Sequence, residues 1–406
     1  MIYQAYQAQA DAMEPWRVLA HATAGFLSQE APFGLFDLPW SRGFAAYCQL
    51  TAFAALSHKR PPFGIESVTV GNRKVAVREE AVHKTPFGTL LHFRKDMDVP
   101  QAPVLLLAPL SGHFATLLRE TAHTMLADHD VYITDWHNAR DVPLRQGRFG
   151  FDEFVDHVIR FLEVLGPGAH LLAVCQPCVA ALAAVALMAE DGNPAQPHSL
   201  TLMAGPIDTR INPTKVNEFA VSRSLDWFEH NLVGVVPQGY PGALRRVYPG
   251  FLQLTAFMGM NPDRHLKSFH DLYNHLVRGE LERANTVQEF YREYFAVMDL
   301  HAEFYLETVQ RIFQDHDLPR RALTWHGRPV NTDAVRRTTL LTVEGDRDDI
   351  CAVGQTLAAQ DLCTRLRPYR KHHYVQPGAG HYGVFAGRRW KTQVYPVVRD
   401  VIHASG

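Results

Sequence analysis

The sequence predicts an α/β fold in which a mostly parallel, doubly wound sheet is interrupted by one large, mainly helical insertion. Three observations carry this. Val104–Ala108, Val131–Thr134, His170–Val174, Leu200–Met203 and Thr339–Val343 are short, nearly continuous apolar runs, the composition of parallel strands covered on both faces. Helical stretches alternate with them at Thr116–Leu126, Phe151–Leu165 and Val179–Glu190, the last stopping at Asp191-Gly192-Asn193-Pro194. The alternation then fails between about Gly205 and Arg337, a segment with turns and prolines first and aromatic helices later, at Phe269–Val277, Thr286–Met298 and His301–Asp315.

An insertion between two strands of one sheet reads as a cap over the strands' C-terminal edge, where open α/β sheets bind ligands. The expected organisation is a first part of the core at 1–204, a helical cap or lid at 205–337 and the rest of the core at 338–406. Residues 1–62 read as a helical extension, with an amphipathic helix from Ala5 to Leu27 whose commonest fate is packing on the core. Ile65–Val77 alternates as a strand does, with Gly71-Asn72 as a turn, and Thr85–His92 follows as the next strand.

The bulk composition narrows the function. The 406 residues are 47 % apolar and 20 % charged with a formal net charge of −2. That permits a large core and lacks the global charge that draws a chain to nucleic acid or an anionic membrane. The five cysteines (Cys48, Cys175, Cys178, Cys351 and Cys363) are scattered and odd in number, which fits free thiols in a reducing compartment. Met1–Met13 lacks the basic-then-apolar order of a signal peptide, so a cytoplasmic chain is expected. Leu171–Ala189 is almost wholly apolar, but Gln176-Pro177 divides it into a buried strand and a buried helix, and no membrane span is expected. No metal-ligand set of standard spacing stands out, and His372-His373 point to opposite faces of an expected strand, so neither metal nor other cofactor is expected. The sequence leaves the oligomeric state open and is compatible with a homo-oligomer.

The chemistry is concentrated at three strand ends. Ala173-Val174-Cys175-Gln176-Pro177 stands where the strand His170–Val174 must turn sharply into a helix. In a nucleophile elbow of the α/β-hydrolase fold this position takes a strained backbone and needs small neighbours two places to either side. Cys175 stands where that pattern has Ser, and Ala173 and Pro177 where it has Gly. The helix N-terminus favours an anionic sulfur, and the Gln176 N–H can donate to an oxyanion. Cys178 fits less well, because the bulky Gln176 lies two before it and the residue falls inside the helix.

The strand Thr339–Val343 leads into Glu344-Gly345-Asp346-Arg347-Asp348-Asp349. Asp348 has the spacing of the acid that orients a catalytic histidine, and Asp346 and Asp349 suit it less. His381 follows the strand His373–Gln376 between glycines, in Gly378-Ala379-Gly380-His381-Tyr382-Gly383. Taken singly, these are a small buried cysteine, a solvated acidic loop and a surface histidine. Together they run in the α/β-hydrolase order of nucleophile, acid and base. Pro109-Leu110-Ser111-Gly112-His113 is the loop expected to supply a second oxyanion N–H, from Leu110 or Ser111. Trp136, Asn138 and Tyr382 are candidate pocket residues, the first two equally explained by packing.

At these residues the chain resembles, along nearly its whole length, the intracellular poly(3-hydroxybutyrate) depolymerases of polyester-storing bacteria. The likeness is carried by Ala108–Arg119, Tyr132–Arg140, Val174–Pro177, Met298–Tyr305, Glu344–Ile350 and Gly380–Phe385. Its most specific element is Cys175-Gln176-Pro177, since most lipases and extracellular depolymerases carry Ser in Gly-x-Ser-x-Gly. The resemblance implies a cytoplasmic hydrolase of amorphous storage polyester, partnered with the granule surface and using Cys175, Asp348 and His381. Polyester synthases, which resemble the same fold and use the same residue types, are the nearest alternative, although they usually keep Gly-x-Cys-x-Gly. An acyl-CoA thioesterase lacks support from any basic cluster, and a granule-coat protein without activity would have no reason to keep the three residues in order.

Overall fold

The computed structural model describes residues 2–27, 39–260 and 262–406. Its central sheet consists of β1 (Ser67–Val70), β2 (Arg73–Lys84), β3 (Gly88–Lys95), β4 (Pro103–Leu107), β5 (Asp130–Trp136), β6 (His170–Val174), β7 (Ser199–Met203), β8 (Thr339–Gly345) and β9 (Lys371–Gln376), in the order β1-β2-β3-β5-β4-β6-β7-β8-β9. The first pairings, through β3 with β5, are antiparallel, and every later one is parallel. An antiparallel edge leading into parallel strands, with β4 and β5 exchanged in space, is the topology of the α/β-hydrolase fold.

The uniformly apolar strands follow from burial on both faces. Along β4, Leu105 and Leu107 join one core cluster while Val104 and Leu106 join the other. On β6, Leu171 and Ala173 divide from Leu172 and Val174 in the same way. The helix after β6, Cys178–Glu190, is buried at every residue from Cys178 to Met188. Its lack of a polar face, which made Leu171–Ala189 look like a membrane span, follows from this. No helix among the described residues is long and apolar enough to cross a membrane.

The turn expected at Gly71-Asn72 joins β1 to β2, with Gly71 at φ +56°. Several expected boundaries are corrected. The strand expected at Thr85–His92 begins only at Gly88. Thr116–Leu126 is a 3₁₀ turn, Ala115–Leu118, followed by the helix Arg119–Met125. The extension forms helices at Ile2–Leu27 and Pro39–Phe53 and is not helical from 54 to 62; the part of it at 28–38 lies outside the described residues.

Between β7 and β8 the chain forms helices at Lys215–Val221, Leu225–Leu232, Gly250–Met260, Pro262–Arg278, Leu281–Tyr294 and Ala302–Thr308, more than the three expected. The first two are short and lie in turn-rich sequence, where periodicity gives little signal. The helix expected to end at Met298 stops at Tyr294. Beyond it the backbone pairs elsewhere, with Ser57 N–H donating to Phe295 O, Val297 N–H to Ser57 O and Met298 N–H to Gly112 O. His301–Asp315 is the α-helix Ala302–Thr308 widening into a π-helical turn at Val309–Gln314.

The first helix is fastened to this insertion. The Tyr3 hydroxyl donates to the fully buried Asp299 carboxylate, which also accepts the Gly250 N–H at 2.9 Å. Arg140 lies 3.7 Å above the Tyr240 ring and donates to Gln7.

Several histidines are held neutral inside the fold. Burial, then Arg140 and Arg245 respectively, pushes His58 and His301 down to about 3. Burial pushes His113, His129 and His170 down to about 4. A histidine whose folded pKa lies below its unfolded value, about 6.5, gives stability that is present above that pH and lost as the pH falls toward the folded value. Each therefore weakens the fold by up to about 1.4 kcal/mol per pH unit in that window. Urea titrations are expected to show stability falling steeply from pH 7 to pH 5. Both His129 nitrogens are buried without a partner, so His129→Leu is expected to make that decline shallower.

Candidate active site

The sharp turn after β6 is built on an uncommon backbone. Cys175 has φ +65°, in the left-handed region that residues with a Cβ seldom occupy. The conformation is held from both sides: Cys175 N–H donates to Met203 O at 2.8 Å, and Cys175 O accepts the Cys178 N–H at 3.2 Å. Pro177 stands at the start of the helix Cys178–Glu190 with φ −73°, where its missing N–H leaves no orphan. Gly205, after β7, permits the approach of the two segments, because a Cβ there would lie 2.2 Å from Cys178 Cβ and 3.2 Å from Cys175 O.

Asp348 lies on the loop after β8, and His381 opens a 3₁₀ turn, His381–Val384, after β9. The loops are joined by backbone bonds, Arg347 N–H to Ala379 O at 3.0 Å and Asp346 N–H to Gln376 O at 3.3 Å. A Cβ on Gly345 would lie 2.6 Å from Ala379 O, which explains glycine there. His381 Nδ1 donates to Asp348 Oδ2 at 2.8 Å, with both side chains buried. The other Asp348 oxygen accepts the N–H groups of Ile350 and Cys351, each at 2.9 Å.

Burial opposes a charge on the His381 ring, but the neighbouring Cys175 and Asp348 outweigh it and hold its pKa well above the ordinary histidine value. The structure thus brings together the three residues expected from sequence. No acceptor among the described residues pairs with the backbone N–H of Gln176, Leu110 or Ser111. The Gln176 side chain is also buried with both amide atoms unpartnered, a need that water or a polar substrate would meet.

Beneath these loops lies a brace that sequence reasoning missed. The Glu344 carboxylate, fully buried at the end of β8, accepts backbone N–H groups from Gly354, Thr356 and Leu357 at 3.0, 2.7 and 3.0 Å. The Thr356 hydroxyl donates to Gly205 O at 3.0 Å and accepts the Gly205 N–H at 2.9 Å. One carboxylate and one hydroxyl thereby lock the acid loop to the segment that packs under Cys175. A glutamate ending a strand reads in sequence as part of a solvated loop, so only its burial distinguishes it.

Tyr382 adjoins His381, ring centroids 5.9 Å apart. Burial, then Tyr294 and Cys175, pushes its hydroxyl pKa up, so the phenol is neutral. Tyr294 comes from the insertion: its ring packs 5.3 Å from His113, and its carbonyl accepts from His113 Nε2 at 3.2 Å. Gly112, at φ +93°, lies against Gln253, whose Oε1 would be 2.6 Å from a Cβ. The insertion therefore rests on the loop after β4. Neither Tyr294 nor Gln253 carries a motif that would reveal it.

Trp136 and Asn138 take other places. Trp136 is a core residue, its indole N–H donating to Ala108 O at 3.0 Å and its ring 4.5 Å from that of Phe154. Asn138 accepts the N–H groups of Arg140 and Asp299 at 3.2 and 3.0 Å. Both border a cavity of about 470 Å³ whose lining includes none of Cys175, Asp348 and His381. Their part in a pocket at Cys175 is therefore corrected to bracing: strand-end position gave the right edge of the sheet but not the right cavity.

Residues 204–406, half of the chain, match the family described as PHB de-polymerase C-terminus. No curated protein matches the chain. Solved structures with a similar chain path include a meta-cleavage product hydrolase from Pseudomonas fluorescens IP01, 16 % identical, covering 84 % of this chain and 98 % of that one at a TM-score of 0.43. A thermophilic esterase from Thermogutta terrifontis is 13 % identical over 81 % of this chain and 98 % of its own, with a TM-score of 0.41. The 2-hydroxy-6-oxo-6-phenylhexa-2,4-dienoate hydrolase of Rhodococcus sp. strain RHA1 is 12 % identical over 81 % and 99 %, at 0.44.

Replacing Thr356 by the isosteric Val would strand the buried N–H of Gly205, whose C=O would keep the Ile207 N–H at 2.9 Å. The variant is expected to lose about 1–3 kcal/mol in urea unfolding, while Thr356→Ser, which restores the hydroxyl, loses much less.

Proposed function

We propose that this chain, which belongs to the PHB de-polymerase family, is an intracellular depolymerase that cleaves ester bonds of amorphous poly(3-hydroxybutyrate) at the granule surface. The observation that carries this reading is Cys175 at φ +65° on the elbow, beside a buried His381–Asp348 pair 2.8 Å apart. Five free cysteines, four of them buried, suit the reducing cytoplasm where such granules form.

In the proposed reaction His381 carries the Cys175 proton as an imidazolium while Asp348 fixes its Nδ1–H tautomer. The raised His381 pKa favours this ion pair at neutral pH. The sulfur attacks the ester carbonyl, and backbone N–H groups of Gln176 and of Leu110 or Ser111 receive the oxyanion. The C–O bond breaks, His381 protonates the departing hydroxyl end, and the acyl group remains as a thioester on Cys175. His381, now neutral, takes a proton from water, which attacks the thioester; the C–S bond breaks, 3-hydroxybutyrate or an oligomer is released, and the Cys175 thiolate and His381 imidazolium are restored. Neither step requires a metal or another cofactor.

Purified protein incubated with amorphous polymer granules is expected to release titratable acid. Cys175→Ala is expected to lower the rate by a factor of about a thousand or more. Asp348→Asn, which disturbs the tautomer, is expected to lower it by a factor of roughly a hundred to ten thousand. Full activity in Cys175→Ala would contradict the mechanism. Absence of release from the wild type, with polymer forming from 3-hydroxybutyryl-CoA instead, would turn the reading into that of a synthase.

A further inference from the structure

The residue three places after the proposed nucleophile is a second cysteine that the mechanism does not use. Cys175-Gln176-Pro177-Cys178 is a Cys-x-Pro-Cys sequence at the junction of a strand with the N-terminus of a helix. The bond from Cys178 N–H to Cys175 O, 3.2 Å long, closes a single turn between the two residues. Such a turn keeps their Cα atoms within about 7 Å, and a disulfide spans about 4.4–6.8 Å.

We propose that Cys178 is a resolving cysteine: when peroxide oxidises Cys175, Cys178 closes a reversible disulfide with it, switching hydrolysis off and protecting the nucleophile from over-oxidation. The proposal rests on Cys175 being the nucleophile. Cys175 is partly exposed, whereas Cys178 is fully buried. An accessible sulfur that meets the oxidant first and a sheltered one that answers it is the division of labour a resolving pair requires.

In the resting state the Cys178 sulfur lies 3.5 Å from Ala173 O and 3.7 Å from Met203 O, against Gly205. Burial, then the neighbouring Cys175, pushes its pKa well up, so it rests as an inert thiol. Oxidation of Cys175 to the neutral sulfenic acid removes the second of those influences. A rotation about the Cys178 Cα–Cβ bond then carries its sulfur away from Gly205 toward Cys175.

The chemistry balances with peroxide as the only oxidant. The Cys175 thiolate attacks one peroxide oxygen; an S–O bond forms, the O–O bond breaks, and the departing hydroxide takes a proton to become water. The Cys178 sulfur then attacks the Cys175 sulfenic sulfur; the S–S bond forms, the S–O bond breaks, and hydroxide leaves with the Cys178 proton as a second water. Two thiols have lost two electrons, and one peroxide has become two waters.

Cys351 is the competing partner. It too is buried and lies close enough for Cys175 and Cys178 to act on its thiol. Its N–H is committed to Asp348 at 2.9 Å, and its sulfur faces the Thr356 hydroxyl at 3.7 Å. Those contacts hold Cys351 on the loop of Asp348, whereas Cys178 is already joined to Cys175 by a hydrogen-bonded turn.

The test exposes reduced full-length protein to hydrogen peroxide, blocks free thiols, maps the peptides by mass and assays granule hydrolysis before and after dithiothreitol. Wild type is expected to lose activity with a Cys175–Cys178 linkage two hydrogens lighter than the thiols, and to regain nearly all of it on reduction. Cys178→Ser and Cys178→Ala, both active before treatment, are expected to gain oxygen on Cys175 and to stay inactive after dithiothreitol. Equal recovery in wild type and both variants, or a Cys175–Cys351 linkage, would overturn the proposal. Separately, iodoacetamide on the reduced protein tests the premise: hydrolysis that survives complete Cys175 alkylation removes the nucleophile reading itself.

Discussion

A side chain bearing a Cβ that is held in the left-handed region stores about 1–2 kcal/mol of backbone strain, and Cys175 at φ +65° is held there by its neighbours. Its N–H bond to Met203 O ties it to the adjacent strand, and Gly205 leaves room for the turn to pass. The strain has a geometric return. It lifts the sulfur off the end of β6 and directs the following backbone N–H groups into the same space, where the helix Cys178–Glu190 begins. A relaxed extended or helical Cys175 would lay its side chain along the strand or on the helix.

The remaining contacts fix this turn relative to Asp348 and His381. β8 pairs in parallel with β7 and β9 in parallel with β8, so their ends emerge at the edge from which Cys175 projects. Glu344 gathers the acid loop by its backbone N–H groups, and Thr356 ties that loop to Gly205. The His381–Asp348 bond is thus the visible end of a network whose other end lies under Cys175. Three residues far apart in sequence meet with buried partners because three strand ends and two polar braces leave them little freedom.

The central sheet was legible in the sequence because its parallel strands are buried on both faces, so Val104–Ala108 and His170–Val174 read as apolar without interruption. The three candidate site residues stood out for a related reason: Cys175 and Asp348 follow such strands and His381 follows the edge strand β9, in the order the fold requires. The insertion was legible as an interruption and little more. Its first helices are short and follow prolines, and the helix ending at Tyr294 stops because residues 295–298 pair with Ser57 and Gly112, contacts that no local pattern announces. Trp136 and Asn138 illustrate the same limit. Their place at the end of β5 identified the correct edge, but whether they line a pocket or brace a core depends on Phe154, Ala108 and Asp299, which are distant in sequence. Glu344 was hidden because a buried carboxylate that accepts only backbone N–H groups has the same sequence signature as an exposed one.

The most direct measurement of the central claim is to quench the protein during turnover of a short 3-hydroxybutyrate oligomer and map the acyl adduct by peptide mass spectrometry. The account predicts a hydroxybutyryl thioester on the peptide carrying Cys175, accumulating when deacylation is slowed and absent from Cys175→Ala. An acyl group on a serine, or continued turnover with no covalent adduct on Cys175, would contradict it.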